Sequence, residues 1–226
     1  MTKLIAALDT SSLAEAEKLL DSTAEEVEWF KIGKQFYTRF GPEAVELVKS
    51  YNRKVFLDLK FHDIPNTVAG AVSAAADLGI DMLNVHAAGG EEMMRAASET
   101  ARNNNITILA VTVLTSMNES ELQKTGVHYP PKEQVVNLAS LAETAEMNGV
   151  VCSAWEIEAI RSVCSSDFVL VVPGIRPEGS EHGDQKRVLT PSEAKEQGAD
   201  FIVVGRPITK AENPAEAARN IKQMLL

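Results

Sequence analysis

Eight short runs rich in Val, Ile and Leu recur along the chain, at 4–9, 29–33, 55–60, 82–87, 107–114, 150–154, 168–175 and 201–208. Runs this short and this apolar suit parallel strands buried on both faces. Between them lie segments of helical composition, such as 12–22, 42–51, 68–78 and 91–103. Ser11 or Ser12 before Leu13 is a candidate cap, and Pro42 just after Gly41 suits a first helical turn. Gly79, Gly149 and Gly198 stand where a left-handed residue ends a helix cheaply. Eight strands alternating with helices in 226 residues predict an α/β fold, a (β/α)8 TIM barrel forming one domain over 1–226. A doubly wound open sheet shares the alternation, but no G-x-G-x-x-G follows the first run, and the count of eight favours the barrel.

Charge narrows the function. With 22 basic and 32 acidic side chains the formal net charge is −10. Such a field repels nucleic acid and anionic membrane, so an anionic ligand needs a local cationic pocket. Cys152 and Cys164 form no spaced framework and fall in or beside apolar segments, as expected of reduced, buried thiols in a cytoplasmic protein. The apolar stretch 4–8 is too short for a signal-peptide core or a membrane span.

In a barrel of this kind the site is built where strands end. Here those ends offer Asp9, Lys31, Asp58 with Lys60, His86, Thr115 with Ser116, Ser153, Pro173 to Arg176, and Gly205 with Arg206. In the third run, alternation puts Phe56, Asp58 and Lys60 on one face and Val55, Leu57 and Leu59 on the other. The apolar face belongs against the helices, so the charged pair points into the barrel mouth, with Asp63 following as the chain leaves the strand. The plainer reading is a structural salt bridge. Lys31 on the neighbouring strand weighs against it, because a Lys-Asp-Lys array on one rim is costly without a function. Two long polar connections, from 115 to about 132 and from 176 to about 188, have the length of functional lids. Loops after strands seven and eight of a barrel often hold phosphate. Arg176, the polar stretch 178–185 and Gly205-Arg206 supply the guanidinium groups and the open backbone such a site needs.

The segment Asp58-Leu59-Lys60-Phe61-His62-Asp63-Ile64-Pro65-Asn66-Thr67 resembles the orotidine 5′-phosphate decarboxylase family. The D-x-K-x-x-D core is shared by a wider superfamily, whereas Ile-Pro-Asn-Thr is more specific. Leu8-Asp9, Phe30 to Gly33, Leu114 to Ser116, the 149–154 stretch, Pro173 to Arg176, Gly183 to Gln185 and Val204 to Pro207 extend the resemblance over nearly the whole chain. The resemblance implies conversion of orotidine 5′-monophosphate to UMP and carbon dioxide, with no cofactor and no metal. Lys60 matches the lysine that delivers a proton to C6 of the pyrimidine, and Asp58 the carboxylate beside the departing one. Lys31 and Asp63 complete the charge network. The match of Asp63 comes from the partner subunit, which implies a homodimer with shared sites. Asp9, Lys31, Asp63 and Thr67 resemble the ribose-binding set, and Ile64 lies within the same motif. Thr115 and Ser116 match the region that contacts the base, and Pro173 borders the base pocket. Arg176, Gln185, Gly205 and Arg206 resemble the phosphate-binding set, with the 176–188 loop closing over it.

Other residues carry less. His62 reads as exposed or behind the chemistry, His86 either lines the pocket or packs, and His128 and His182 lie in polar loops. None of the four shows metal-ligand spacing. Trp29 and Trp155 read as core or interface aromatics, Met93-Met94 as helix packing, and Gly89-Gly90 as a loop before a helix. The competing functions are a metal-assisted sugar-phosphate enzyme of the same superfamily, a Schiff-base aldolase using Lys60, and a non-catalytic nucleotide-binding barrel. Lys31 would repel a metal at the first, and two carboxylates near Lys60 raise rather than lower a lysine pKa, against the second.

Overall fold

Each apolar run pairs in parallel with the next, and the last returns to the first. β1 (Lys3–Ala7), β2 (Trp29–Gly33), β3 (Lys54–Phe61), β4 (Met82–His86), β5 (Thr107–Val111), β6 (Gly149–Val151), β7 (Val169–Pro173) and β8 (Phe201–Val204) close a barrel. In this computed structural model, which describes residues 1–177 and 189–226, helices cover the outside of the barrel. They are α1 (Leu13–Thr23), α2 (Lys34–Phe40), α3 (Pro42–Ser50), α4 (Pro65–Ala76), α5 (Glu91–Asn103), α6 (Glu119–Lys124), α7 (Pro131–Thr144), α8 (Ile157–Arg161), α9 (Pro191–Glu196), α10 (Arg206–Thr209) and α11 (Pro214–Met224). The (β/α)8 expectation holds.

Strand alternation makes two cores out of one sequence pattern. Residues such as Leu4, Ala6, Phe30, Val55, Leu57 and Leu83 face the helices. Ile5, Ala7, Trp29, Phe56, Met82, Leu109, Val171 and Val203 fill the barrel interior. Both faces are dry, which is why the runs read as continuous. Toward the strands' carboxyl ends the inward positions turn polar, with Lys31, Asp58 and Asn84 above the apolar interior.

Local chemistry sets the element ends. Ser12 caps α1 by accepting from the Glu15 amide at 3.2 Å, and Pro42 opens α3 after Gly41, whose φ is +57°. Gly79 and Gly198 adopt positive φ after their helices, as expected. Gly149 does not; Glu146 takes the left-handed position after α7. A Cβ on Gly149 would lie 2.0 Å from the Val169 carbonyl oxygen, so glycine is needed there for strand contact.

Several strands stop short of their apolar runs. β8 ends at Val204, and Arg206–Thr209 is helical, because Pro207 has no N–H for the ladder. β6 ends at Val151, where Ser153 caps a tight turn at Ala154–Glu156. β5, with no strand beside it beyond that point, ends at Val111. The connection after β5 carries α6, capped by Asn118. Met93 and Met94 are buried against the barrel and Trp29 inside it, whereas Trp155 is 57% exposed and no core residue. Both thiols are free and buried. Burial pushes the Cys164 thiol up to about 11, well away from nucleophilic reactivity, and moves Cys152 in the same direction. No helix among the described residues is long and apolar enough to cross a membrane.

Candidate active site

Four charges, carried by β2, β3 and the chain just beyond β1, meet at the barrel mouth. The Lys31 Nζ lies 3.2 Å from Asp9 Oδ1 and 3.5 Å from Asp58 Oδ2. Lys60 donates to Asp58 Oδ1, so Asp58 sits between two ammonium groups. Gly33 leaves room for this packing, since a Cβ there would lie 3.0 Å from both Asp9 Oδ1 and Lys31 Nζ. Burial alone would push the Asp58 carboxyl up. The charges of Lys31 and Lys60, with hydrogen bonds from Lys60 and Asn84, outweigh it and hold the carboxyl below the ordinary carboxylate value. Asp58 therefore stabilises the fold above the unfolded carboxylate pKa of about 4, and that contribution is lost as pH falls through the lower folded value.

The strand that carries this pair is irregular. β3 and β4 pair Leu57 with Leu83 and Phe61 with Val85, so Asp58, Leu59 and Lys60 lie opposite Asn84 alone. Asp58 and Lys60 share the mouth side as alternation predicts, but Lys60 reaches it with φ +56°. A left-handed backbone costs a residue with a Cβ on the order of 1–3 kcal/mol, and such outliers cluster at functional sites. Asn84 was not singled out from the sequence. The signal was present: an amide inside the apolar run Met-Leu-Asn-Val-His, fully buried, must find partners.

Lys31, Asp58 and Lys60 form one wall of a cavity of about 190 Å³. Val111, Val151, Pro173 and Val203 supply apolar surface to it, and Thr115 stands at its edge. Electrostatic interactions in such a lining are weakly screened. Beside the chain ends of β7 and β8 lies a second cationic feature. Arg176 is 8% exposed and its Nε has no hydrogen-bond partner among the described residues, while its Nη1 donates to the Ile175 carbonyl at 2.9 Å. Burial and the neighbouring Arg206 charge both lower its pKa. A Cβ on Gly205 would meet Ala7 Cβ at 3.7 Å and Asp9 Oδ2 at 3.9 Å, both ordinary contacts.

Other expected residues stand apart. Asp63, Ile64 and Thr67 are exposed, and Asp63 accepts from the Ile64 amide at 2.7 Å without an ion pair to any described residue. Ser116 is exposed beside half-buried Thr115. Gln185 and His182 lie outside the described residues, as does nearly all of the 176–188 loop. His86 is half-buried with its ring 5.6 Å from that of exposed His62, and burial, His62, Lys34 and Lys60 lower its pKa. His128 is exposed.

The model of the orotidine 5′-phosphate decarboxylase / HUMPS family matches residues 2–221. The chain belongs to this family. Among relatives in the orotidine 5′-phosphate decarboxylase group, the protein so named from Moorella thermoacetica is 50% identical over 227 residues, spanning 97% of this chain and 90% of its own. The one from Actinobacillus succinogenes is 49% identical, spanning 99% and 98%. The crystal structure of orotidine 5′-phosphate decarboxylase from Lactobacillus acidophilus superposes with a TM-score of 0.89 at 35% identity, covering 100% of this chain and 99% of that one. The decarboxylase family resemblance carried by the 58–67 motif is thus borne out over nearly the full chain.

Proposed function

We propose that this chain is an orotidine 5′-phosphate decarboxylase that converts orotidine 5′-monophosphate to UMP and carbon dioxide in de novo pyrimidine biosynthesis. The observation that carries the reading is the Lys31-Asp58-Lys60 array on the wall of a mostly apolar cavity. Relatives about 50% identical that bear the decarboxylase name support it.

The chemistry follows from charge. Breaking the bond between C6 and the carboxylate leaves its electron pair on C6. An ammonium fixed beside that carbon stabilises the carbanion and then gives it a proton, and the neutral amine regains one from water. Lys60 is assigned both tasks, because a preorganised charge in a poorly hydrated site stabilises developing charge strongly. Asp58, kept ionised, sits where the departing carboxylate is held, and Lys31 keeps Asp58 and Asp9 in place. Lys31 also fills the space between two carboxylates that a divalent ion would need, which favours this reading over a metal-assisted relative. The reading assigns no cofactor.

Asp9, Lys31, Asp63 and Thr67 are assigned to the ribose region, with Ile64 as a further substrate contact, and Thr115, Ser116 and Pro173 to the base. Arg176, Gln185, Gly205 and Arg206 are assigned to the phosphate, whose remote binding energy aligns C6 with Lys60. The exposure of Asp63, Ile64 and Thr67 supports their delivery to a partner's site in a homodimer. The protein is read as a single-domain, cytoplasmic enzyme.

The test is the loss of absorbance as orotidine 5′-monophosphate is converted by purified protein in EDTA. Wild type is expected to turn over, and Lys60→Ala to lose at least about 100-fold in kcat while staying folded, the scale of removing one preorganised charge donor. Ordinary turnover by Lys60→Ala would refute the lysine's role. An inactive wild type that binds UMP would be a binding protein.

A further inference from the structure

The geometry points to Asn84 as the positioning residue that clamps Lys60 to Asp58; this deepens the decarboxylase reading and rests on it for its kinetic consequence. Between the pairs Leu57–Leu83 and Phe61–Val85, Asn84 is the one β4 residue opposite three residues of β3. The Lys60 amide, turned off the ladder by its positive φ, donates to Asn84 Oδ1 at 2.8 Å. Asn84 Nδ2 donates to Asp58 Oδ1 at 2.7 Å, the same oxygen that accepts from the Lys60 ammonium. One side chain therefore ties the backbone of the lysine to the carboxylate that holds its tip.

The chemistry of the pair fixes the amide's orientation. A backbone N–H can only donate and an ionised carboxylate can only accept, so the oxygen must face Lys60 and the nitrogen Asp58. Asparagine is the side chain of this size that offers an acceptor and a donor side by side. Its full burial denies water as a substitute for either bond. A strained backbone persists only where surroundings over-determine it, and here Asn84 supplies that constraint. It need not touch substrate to matter, since it sets where the Lys60 ammonium stands relative to Asp58.

Asn84→Ala and Asn84→Asp in the full-length protein test this. In Asn84→Ala, kcat is expected to fall on the order of 100-fold, as for a reacting group misplaced by about 1 Å. UMP affinity should stay close to wild type, the melting temperature should fall by several degrees with the fold retained because two buried groups lose a partner, and the Lys60 amide should lose its hydrogen-exchange protection while its strand neighbours keep theirs. In Asn84→Asp, an ionised carboxylate would oppose Asp58, whereas the protonated acid mimics the amide, accepting from Lys60 and donating to Asp58. Its activity relative to wild type should therefore rise as pH falls. The groups facing position 84 are Asp58 and Lys60 from β3, with Lys31 from β2 behind Asp58; His86 lies on its own strand, and β5 presents apolar Leu109. Wild-type kcat in Asn84→Ala, or a kcat loss matched by lost UMP binding, overturns the inference and leaves the decarboxylase reading standing. Collapse of both variants makes Asn84 a folding residue and also overturns it. An inactive wild type would sink the decarboxylase reading alone, and the exchange of the Lys60 amide in Asn84→Ala would still decide the clamp.

Discussion

Arg176 and Arg206 show how a single residue's surroundings point to a ligand. A guanidinium that is 8% exposed, with a second one lowering its pKa, is held against both burial and repulsion. An anion bound beside them relieves both penalties, and a phosphate also matches the planar, multiply donating geometry of guanidinium. Arg206, exposed at the first position of α10, can be removed without opening the core. Arg206→Ala is expected to weaken UMP binding by about 10–100-fold, the scale of about 1.5–3 kcal/mol for a charged hydrogen bond. Uridine, lacking the phosphate, should lose little, and equilibrium titration with both ligands checks it. Equal losses for the two would remove Arg206 from the phosphate site. In a chain of net charge −10, such a local cationic feature is what makes an anionic ligand admissible.

Among the elements, β3 and β6 contrast in how they depart from regularity. β3 carries two extra residues opposite Asn84 and spends strain on placing Lys60. β6 spans only Gly149–Val151 and is regular, yet its first residue must be glycine because β7 backbone lies against it. The nearby positive φ falls on Glu146, so Gly149 acts through space and not through backbone freedom. Gly149→Ala should force β6 and β7 apart and cost about 1–3 kcal/mol, as overpacking does. For a chain of this size that lowers Tm by roughly 2–4 °C per kcal/mol. Thermal melting checks it, and an unchanged Tm would mean that the strands separate without penalty. The Gly79 and Gly198 positions, by contrast, are set by their positive φ.

For the whole molecule, the question is where the site is completed. Asp9, Lys31, Asp58 and Lys60 converge within one chain. Asp63 and Ile64 lie exposed on the turn from β3 into α4, and Thr67 lies exposed in the first turn of that helix. If the proposed homodimer shares its sites, Lys60→Ala and Asp63→Ala subunits complement each other: in a mixed dimer one site carries both defects and the other neither. Each variant alone is expected to be nearly inactive, and refolding the two together in equal amounts should restore about a quarter of wild-type activity through free subunit exchange. Absence of recovery in mixtures shown to contain mixed dimers would place Asp63 in its own chain's site or outside the chemistry.

Much of this was legible before any tertiary contact. Apolar runs with buried faces on both sides, helical segments between them and a count of eight determined the barrel, because strand burial is written in local periodicity. The side of β3 on which Asp58 and Lys60 lie was equally local, since alternation has a period of two. Strand ends at Val204 and Val151 were not legible as readily, for an apolar run continues past the point where a partner strand stops. Glycine at 149 and asparagine at 84 could not be explained by sequence neighbours at all: their reasons are Val169 and the Asp58–Lys60 pair, across the sheet. Periodicity is a property of adjacent residues, whereas clamping a lysine at a bulge depends on which strand closes beside it, and only the folded barrel decides that.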